Sequence, residues 1–307
     1  MHTVTASLTP VAPFDFSHTL HFLGRFAPTR GEQRTERRLT KLMALHGQPV
    51  LFEVSARGTP EAPALDCTLH AHHPLDEQAR ALAVDRIGFS LSVGDDLRPF
   101  YRRARTDPAF FPLVRRWHGF HQPKFFSPFE NAAWAVLTQR TPMTLARRLK
   151  CTLMERLGVR WQHEGVEHLG FPEPATVAAV SVEELTAILG HRRKAAWIHG
   201  LAQAFSNVDD AFLRHGHVHH VLEWLRALPG LGPWSSAFVA IRGLGRMEWL
   251  DVKEARLLSA ASLVYGRTLE LAEARRLAEA YAEHRGYWAL YLRASEPELA
   301  SRPGMEM

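Results

Sequence analysis

Gly230 and Gly232, in the stretch LPGLGPWSSA at 228–237, stand two apart between prolines and interrupt sequence that is apolar at helical spacing on either side. Glycines accept positive φ and leave their amides unshielded. At such a corner the amides opening the next helix, Ser235 among them, face outward with the positive end of the helix dipole, a natural seat for a phosphate. The same pentapeptide would serve equally as a packing corner, and alone it does not separate the two uses. Asp251 follows Gly232 by 19 residues, in EWLDVKEARLL, and with Glu254 it reads as a helix N-cap and capping box. The other use of a carboxylate there is catalytic, since a fixed negative charge can stabilise a cationic transition state or orient a water.

The elements that must hold these groups are legible from periodicity and caps. SPFENAAWAVLTQRTPMTLARRLKCTLMERLG predicts a helix capped by Ser127, with Pro128 in its first turn and Glu130 three after the cap. The Gln139–Pro142 corner splits that stretch into two helices, and Gly158 ends the second. SVEELTAILGHRRKAAWIHGLAQAF repeats the logic, with Ser181 and Glu184 as a capping box and a break at Gly190. Further short helices follow to the C-terminus, and from about Asp96 onward strand signals vanish. Upstream, PVLFEVSARG and ALDCTLHAHH carry β-rich runs separated by a turn at TPEAPA. A helix entered through Asp76 follows, so residues 1–95 read as a small antiparallel sheet with one or two helices.

Composition narrows the class. The chain has 307 residues, 46% apolar and 22% charged, the profile of a globular protein. A formal charge of +5, with arginine bursts in RTERRLTK, YRRARTD, ARRLK and GHRRKAA, is a mild bias toward polyanions. Two cysteines, Cys67 and Cys151, exclude an iron–sulfur cluster or a four-cysteine zinc site, and both read as buried apolar residues. In RHGHVHH, at 214–220, no carboxylate or thiol stands at ligand spacing, so His217, His219 and His220 read as a solvated linker. No apolar run is long enough to span a bilayer, and the N-terminus lacks a signal-peptide layout, so a cytoplasmic location is expected.

Taken in order, these segments resemble the helix-hairpin-helix DNA glycosylases, and most closely the bacterial 3-methyladenine DNA glycosylase II type. LPGLG followed by Asp251 matches the family's Leu-Pro-Gly-x-Gly hairpin and catalytic Asp. PFDFSHTLHFLGRF, SPFENAAWAVLTQR, FPEPATVAAVSVEELTAILG and HRGYWALYL are similar to further family segments, so the resemblance runs over nearly the whole chain. It implies an α+β, mainly α fold: a mixed α/β domain over 1–95, then a helical region over 96–307. The latter would form two lobes, 125–232 and 96–124 with 233–307, with a cleft between them.

The resemblance implies roles residue by residue. Asp251 would stabilise the oxocarbenium-like state as an N-glycosidic bond breaks. Trp234 stands where the strand-nicking relatives carry a nucleophilic Lys, which implies a monofunctional enzyme that uses water. Trp234, Phe238 and Phe22 match aromatic pocket positions. Gln139 and Arg140 match the corner that fills the gap left by a flipped base, with Arg140 as the inserted side chain. Gly230, Gly232 and Ser235 would grip phosphate, and Arg192, Arg193 and Lys194 either contact the backbone or form a solvated face. No cofactor is implied beyond a structural Na or K ion on the carbonyls of Arg226, Leu228 and Leu231 when DNA is bound. The expected partner is damaged double-stranded DNA, bound by a monomer with no membrane and no obligate protein partner.

The pattern departs from the family in three places. The loop before Asp251 is a few residues shorter, Val252 replaces an aromatic, and His284 stands where the closing helix has a pocket Trp. His284 would then donate to a leaving purine or be an ordinary surface residue. The expectation is removal of alkylated purines such as 3-methyladenine. The alternatives are a glycosylase of the same build for an oxidised, deaminated or bulkier alkylated base, and a damage-binding protein that does not cut.

Overall fold

The computed structural model describes residues 1–26, 28, 35, 37–250 and 254–299, with side chains described to Ser295. Asp251 and Val252 lie outside the described residues.

The N-terminal part is an antiparallel sheet of β1 (His2–Leu8), β2 (Arg38–Leu45), β3 (Gln48–Thr59) and β4 (Ala62–Ala71), in the order β1-β4-β3-β2. His46 and Gly47 join β2 to β3 with φ of 50° and 75°, the positive values of a tight hairpin turn. Helix α1 (Phe16–Arg25) is capped by Asp15, whose carboxylate accepts from Ser17 N. Helix α2 (Glu77–Ser90) begins at Asp76, as its sequence predicts. Both helices pack on one face of the sheet, where Leu20, Leu23, Ala83 and Ile87 meet Phe52, Val54, Cys67 and Leu69.

The opposite face is covered by a feature that contradicts the helical expectation beyond Asp96. Strands β5 (Val159–His163) and β6 (Val166–Gly170) form a second antiparallel pair. Trp161 on β5 buries itself against Leu42 and Leu51 of the sheet. The turn is Glu164–Gly165, with φ of 47° and 76°, and the flanking VRWQH alternates in burial about Trp161. That local signal was present in the sequence, hidden by the strong helix before it.

The helices run in chain order as α3 (Arg98–Ala104), α4 (Phe111–Arg116), α5 (Pro128–Thr138), α6 (Met143–Leu157), α7 (Pro174–Ala178), α8 (Val182–Leu189) and α9 (Arg192–Asn207). They continue as α10 (Asp210–His215), α11 (Val218–Ala227), α12 (Pro233–Arg242), α13 (Ala255–Tyr265), α14 (Leu271–Glu279) and α15 (Arg285–Leu299). One apolar core gathers α5, α6, α8, α9 and α11 through Phe129, Leu153, Leu185, Ile198 and Leu225. A second joins α3 and α4 to the C-terminal helices through Phe100, Phe110, Leu257, Trp288 and Tyr291. Helix α12 bridges them: Val239 and Ala240 bury in the first core, while Ile241 packs on the second. A site on α12 therefore sits between the two bodies.

The caps are largely where the sequence puts them. Ser127 Oγ accepts from Glu130 N, Ser181 and Glu184 form a complete capping box, and Gly190 ends α8 with φ of 65°. Glu130, however, does not reach back to its cap. Its carboxylate, 2% exposed, pairs with Lys150 Nζ at 2.7 Å and thereby ties α5 to α6. Helix α13 starts at Ala255 with Glu254 in the N-cap position, later than the Asp251 cap expected. Glu254 pairs instead with Arg293 of α15. Cys67 is buried, which pushes its thiol up to about 12, whereas Cys151 is exposed on α6, correcting the expectation of two buried thiols.

Candidate nucleic-acid interface

Helix α11 ends at Ala227, and residues 228–232 reverse the chain into α12. Gly230 has φ of 80°, a value that disfavours a side chain, and its Cα presses on Trp197 of α9: a Cβ there would lie 2.9 Å from the indole. Gly232 differs in kind. Its φ is −86°, and a Cβ would meet nothing within 4 Å, so no internal contact requires glycine at that position. As N-cap of α12 it contributes no side chain, which leaves the first-turn amides, Ser235 included, without a side-chain cap. The Ser235 side chain itself is buried. Gly230 is thus bare for internal packing, whereas Gly232 opens onto free space.

In the first turn of α12 an aromatic platform begins. Trp234 is 59% exposed, and its indole lies parallel to Phe238, with centroids 5.3 Å apart and 6° between planes. Phe238 meets Phe125 edge-on at 6.0 Å, Phe125 meets Phe26 at 5.5 Å, and Phe26 stacks on Phe22 at 5.3 Å. The expected residues Trp234, Phe238 and Phe22 therefore belong to one run of rings. Phe26 and Phe125 complete it and were not singled out from sequence, although Phe26 stands at the i+4 position from Phe22 on the same helical face.

The next residue on this face of α12, Arg242, was also not anticipated. It is 6% exposed, and its guanidinium carbon lies 4.5 Å from the Phe22 centroid and 4.4 Å from that of Phe26. Its Nε and Nη2 are buried with no hydrogen-bond partner among the described residues. Burial, reinforced by the charge of Arg293, pulls its pKa down to about 9. Two ring faces supply much of what solvates it.

His284 sits apart from the run of rings. Its Nε2 is 2.9 Å from Asp96 O, its Nδ1 faces Glu283 at 3.6 Å, and its ring packs on Phe100 and Tyr287. In this conformation Nε2 is already engaged.

The corner between α5 and α6 approaches the hairpin from the other side. Gln139 Nε2 donates to Gly230 O at 2.6 Å, and Arg140 beside it is exposed, with φ of 49°. Lys194 is 5% exposed and turned inward to the corner, its pKa lowered by burial. Arg193 lies over the Trp197 ring at 4.5 Å. Hairpin, corner and basic residues thus form one continuous ridge beside the Trp234 platform. Among the described residues no group of three or more His, Cys, Asp or Glu side chains is placed to hold a metal, and no helix is long and apolar enough to cross a membrane.

Residues 133–233, which carry the Gln139–Pro142 corner and the glycine hairpin, match the family model described as HhH-GPD superfamily base excision DNA repair protein. That match spans about a third of the chain, and two curated relatives extend the likeness beyond it. The chain is 24% identical over 233 residues to the DNA-3-methyladenine glycosylase of Bacillus subtilis (strain 168), a match covering 75% of this chain and 76% of that one. It is 29% identical over 126 residues to DNA-3-methyladenine glycosylase 2 of Escherichia coli (strain K12), covering 41% and 44%. The solved 3-methyladenine DNA glycosylase from Archaeoglobus fulgidus shares the fold at a TM-score of 0.74 and 18% identity, over 97% of this chain and 100% of that one.

Proposed function

We propose that the protein is a monofunctional DNA N-glycosylase that turns alkylated purines such as 3-methyladenine out of duplex DNA and hydrolyses the N-glycosidic bond, leaving an abasic site. The observation that carries this reading is the exposed Trp234–Phe238 stack, which begins two residues beyond the uncapped glycine hairpin. A flipped base needs a flat apolar surface beside the backbone grip, and an electron-poor alkylated base stacks on indole more strongly than a normal one. Trp234 also occupies the place of the amine nucleophile in strand-nicking relatives, so water is the attacking group. Asp251 is assigned the negative charge that stabilises the departing sugar cation. Arg140, held with positive φ at the exposed tip of its corner, is assigned the gap left in the stack.

The carbonyls of Arg226, Leu228 and Leu231 are assigned a monovalent cation when DNA is bound. Neutral backbone oxygens with no carboxylate suit Na or K rather than a divalent ion. Leu228 O accepts from Leu231 N at 3.2 Å, and a carbonyl oxygen has a second lone pair to offer. Bound there, the ion would bridge hairpin and phosphate. Damaged DNA is the proposed partner and the protein is assigned to the cytoplasm as a monomer.

The engagement of His284 with Asp96 favours a second reading, a wider lesion range, because the wall that a pocket Trp would supply is withdrawn. One experiment separates these. Duplexes carrying alkylated, oxidised or deaminated bases are incubated with excess protein, and free base and strand nicks are measured. Release of alkylated purine without nicking is expected. Lesion binding with no free base from any duplex would leave a damage-binding protein instead.

A further inference from the structure

Three carbonyl or hydroxyl oxygens of the wedge corner converge on one ammonium. Lys194 Nζ donates to Leu137 O at 2.6 Å, to Gln139 O at 3.0 Å and to Thr141 Oγ1. A lysine ammonium has three N–H donors, so this geometry occupies all of them and leaves none for a phosphate. The placement is otherwise unfavourable. Lys194 lies in the first turn of α9, at the positive end of the helix dipole, and is buried. Among the described residues, these oxygens of the α5 end and the corner offset that environment.

The same turn of α9 also carries the hairpin. Trp197, three residues after Lys194, is the surface on which Gly230 rests, and Gln139 Nε2 closes the circuit by donating to Gly230 O at 2.6 Å. Thr141 Oγ1 in turn donates to Gln139 O at 2.9 Å. Between these contacts stands Arg140, whose backbone is held at φ 49°, the left-handed region that a residue with a side chain rarely occupies unless its surroundings impose it.

We infer that Lys194 and Gln139 are a latch that makes the Arg140 corner and the glycine hairpin one rigid body, so that seating a phosphate on the hairpin drives Arg140 into the duplex. Lys194 is a positioning residue, not a backbone contact. The inference rests on the proposed base-flipping function and adds to it how grip and insertion are coupled.

The test uses Lys194→Met and Gln139→Glu in the full chain. Gln139→Glu removes the donor to Gly230 O at a half-buried site and guards against a folding defect in the lysine variant. Three readings are taken: single-turnover excision at saturating protein, the fluorescence of 2-aminopurine beside or opposite the lesion, and the salt dependence of binding to undamaged duplex. For a fully paired lesion, both variants should lose about tenfold or more in excision rate, with a matching loss of the fluorescence change. The loss should largely disappear for a lesion opposite an abasic gap, where no wedge is needed, and the salt slope should not change. An intact saturating rate with a salt slope shallower by about one would make Lys194 a phosphate contact and overturn the latch. Equal losses on gapped and paired substrates would overturn it too, as would two variants that behave as wild type. If wild type itself releases no base, the glycosylase reading fails, while the fluorescence comparison still decides the latch.

Discussion

The indole of Trp234 is stacked within 6° of parallel on Phe238, and 59% of Trp234 remains exposed. Inside a core such a pair would be covered on both faces; here one aromatic serves as a support and the other presents a free face. Side chains four apart on a helix stand one above the other, so the platform follows from the i, i+4 spacing in PWSSAF.

Trp234→Ala should therefore cost little stability and much recognition. Losing one stacked base contact corresponds to about 1–3 kcal/mol, or roughly fivefold to 150-fold in affinity for lesion-bearing duplex. Competition binding with damaged and undamaged duplexes measures it. Equal weakening toward both duplexes would mean that the indole does not receive the base.

Gly230 and Gly232 should separate stability from grip. Gly230→Ala forces a Cβ against the Trp197 ring at 2.9 Å with φ of 80°, and about 1–3 kcal/mol of unfolding free energy should be lost. Gly232→Ala meets nothing within the protein, so its urea midpoint should match wild type while affinity falls evenly for all duplexes. A Gly232→Ala protein with native affinity at moderate salt would remove phosphate from that place.

Asp251→Asn should abolish most chemistry and little binding. Withdrawing a charge that stabilises a transition state lowers rates by about a hundredfold or more. Single-turnover excision of the best substrate is the measurement, and a near-native rate would move the catalytic role elsewhere.

The buried Glu130–Lys150 pair should be the structural weak point of the α5–α6 unit that carries the Gln139–Pro142 corner. Lys150→Met leaves a carboxylate that is 2% exposed facing, among the described residues, Lys41 at 3.8 Å, and about 3 kcal/mol of stability should be lost. Urea denaturation reads it directly; a change under about 1 kcal/mol would show that solvent reaches Glu130 more easily than its burial indicates.

What the sequence by itself determined was set by interactions spanning a few residues. Ser127 and Glu130 N, Ser181 and Glu184, and the breaks at Gln139–Pro142, Gly158 and Gly190 all complete their hydrogen bonds or turns within one helical turn, so their signatures survive in the chain. The order of those elements, with the glycine hairpin and the Trp234–Phe238 spacing, was enough to indicate the family. The β5–β6 hairpin was equally local in its Glu164–Gly165 turn, but its burial depends on Trp161 reaching Leu42 and Leu51, more than a hundred residues away. Only the tertiary structure decided which way the polar groups face. Lys194 resembles a surface lysine until Leu137 and Gln139 are folded onto it, and Gln139 resembles a DNA contact until Gly230, 91 residues on, accepts its amide. Arg242 and Phe26 likewise meet only when α1 and α12 pack together. Pairings at such separations leave no periodicity, because the energy that selects them comes from burial shared by distant elements and not from any local cap or turn.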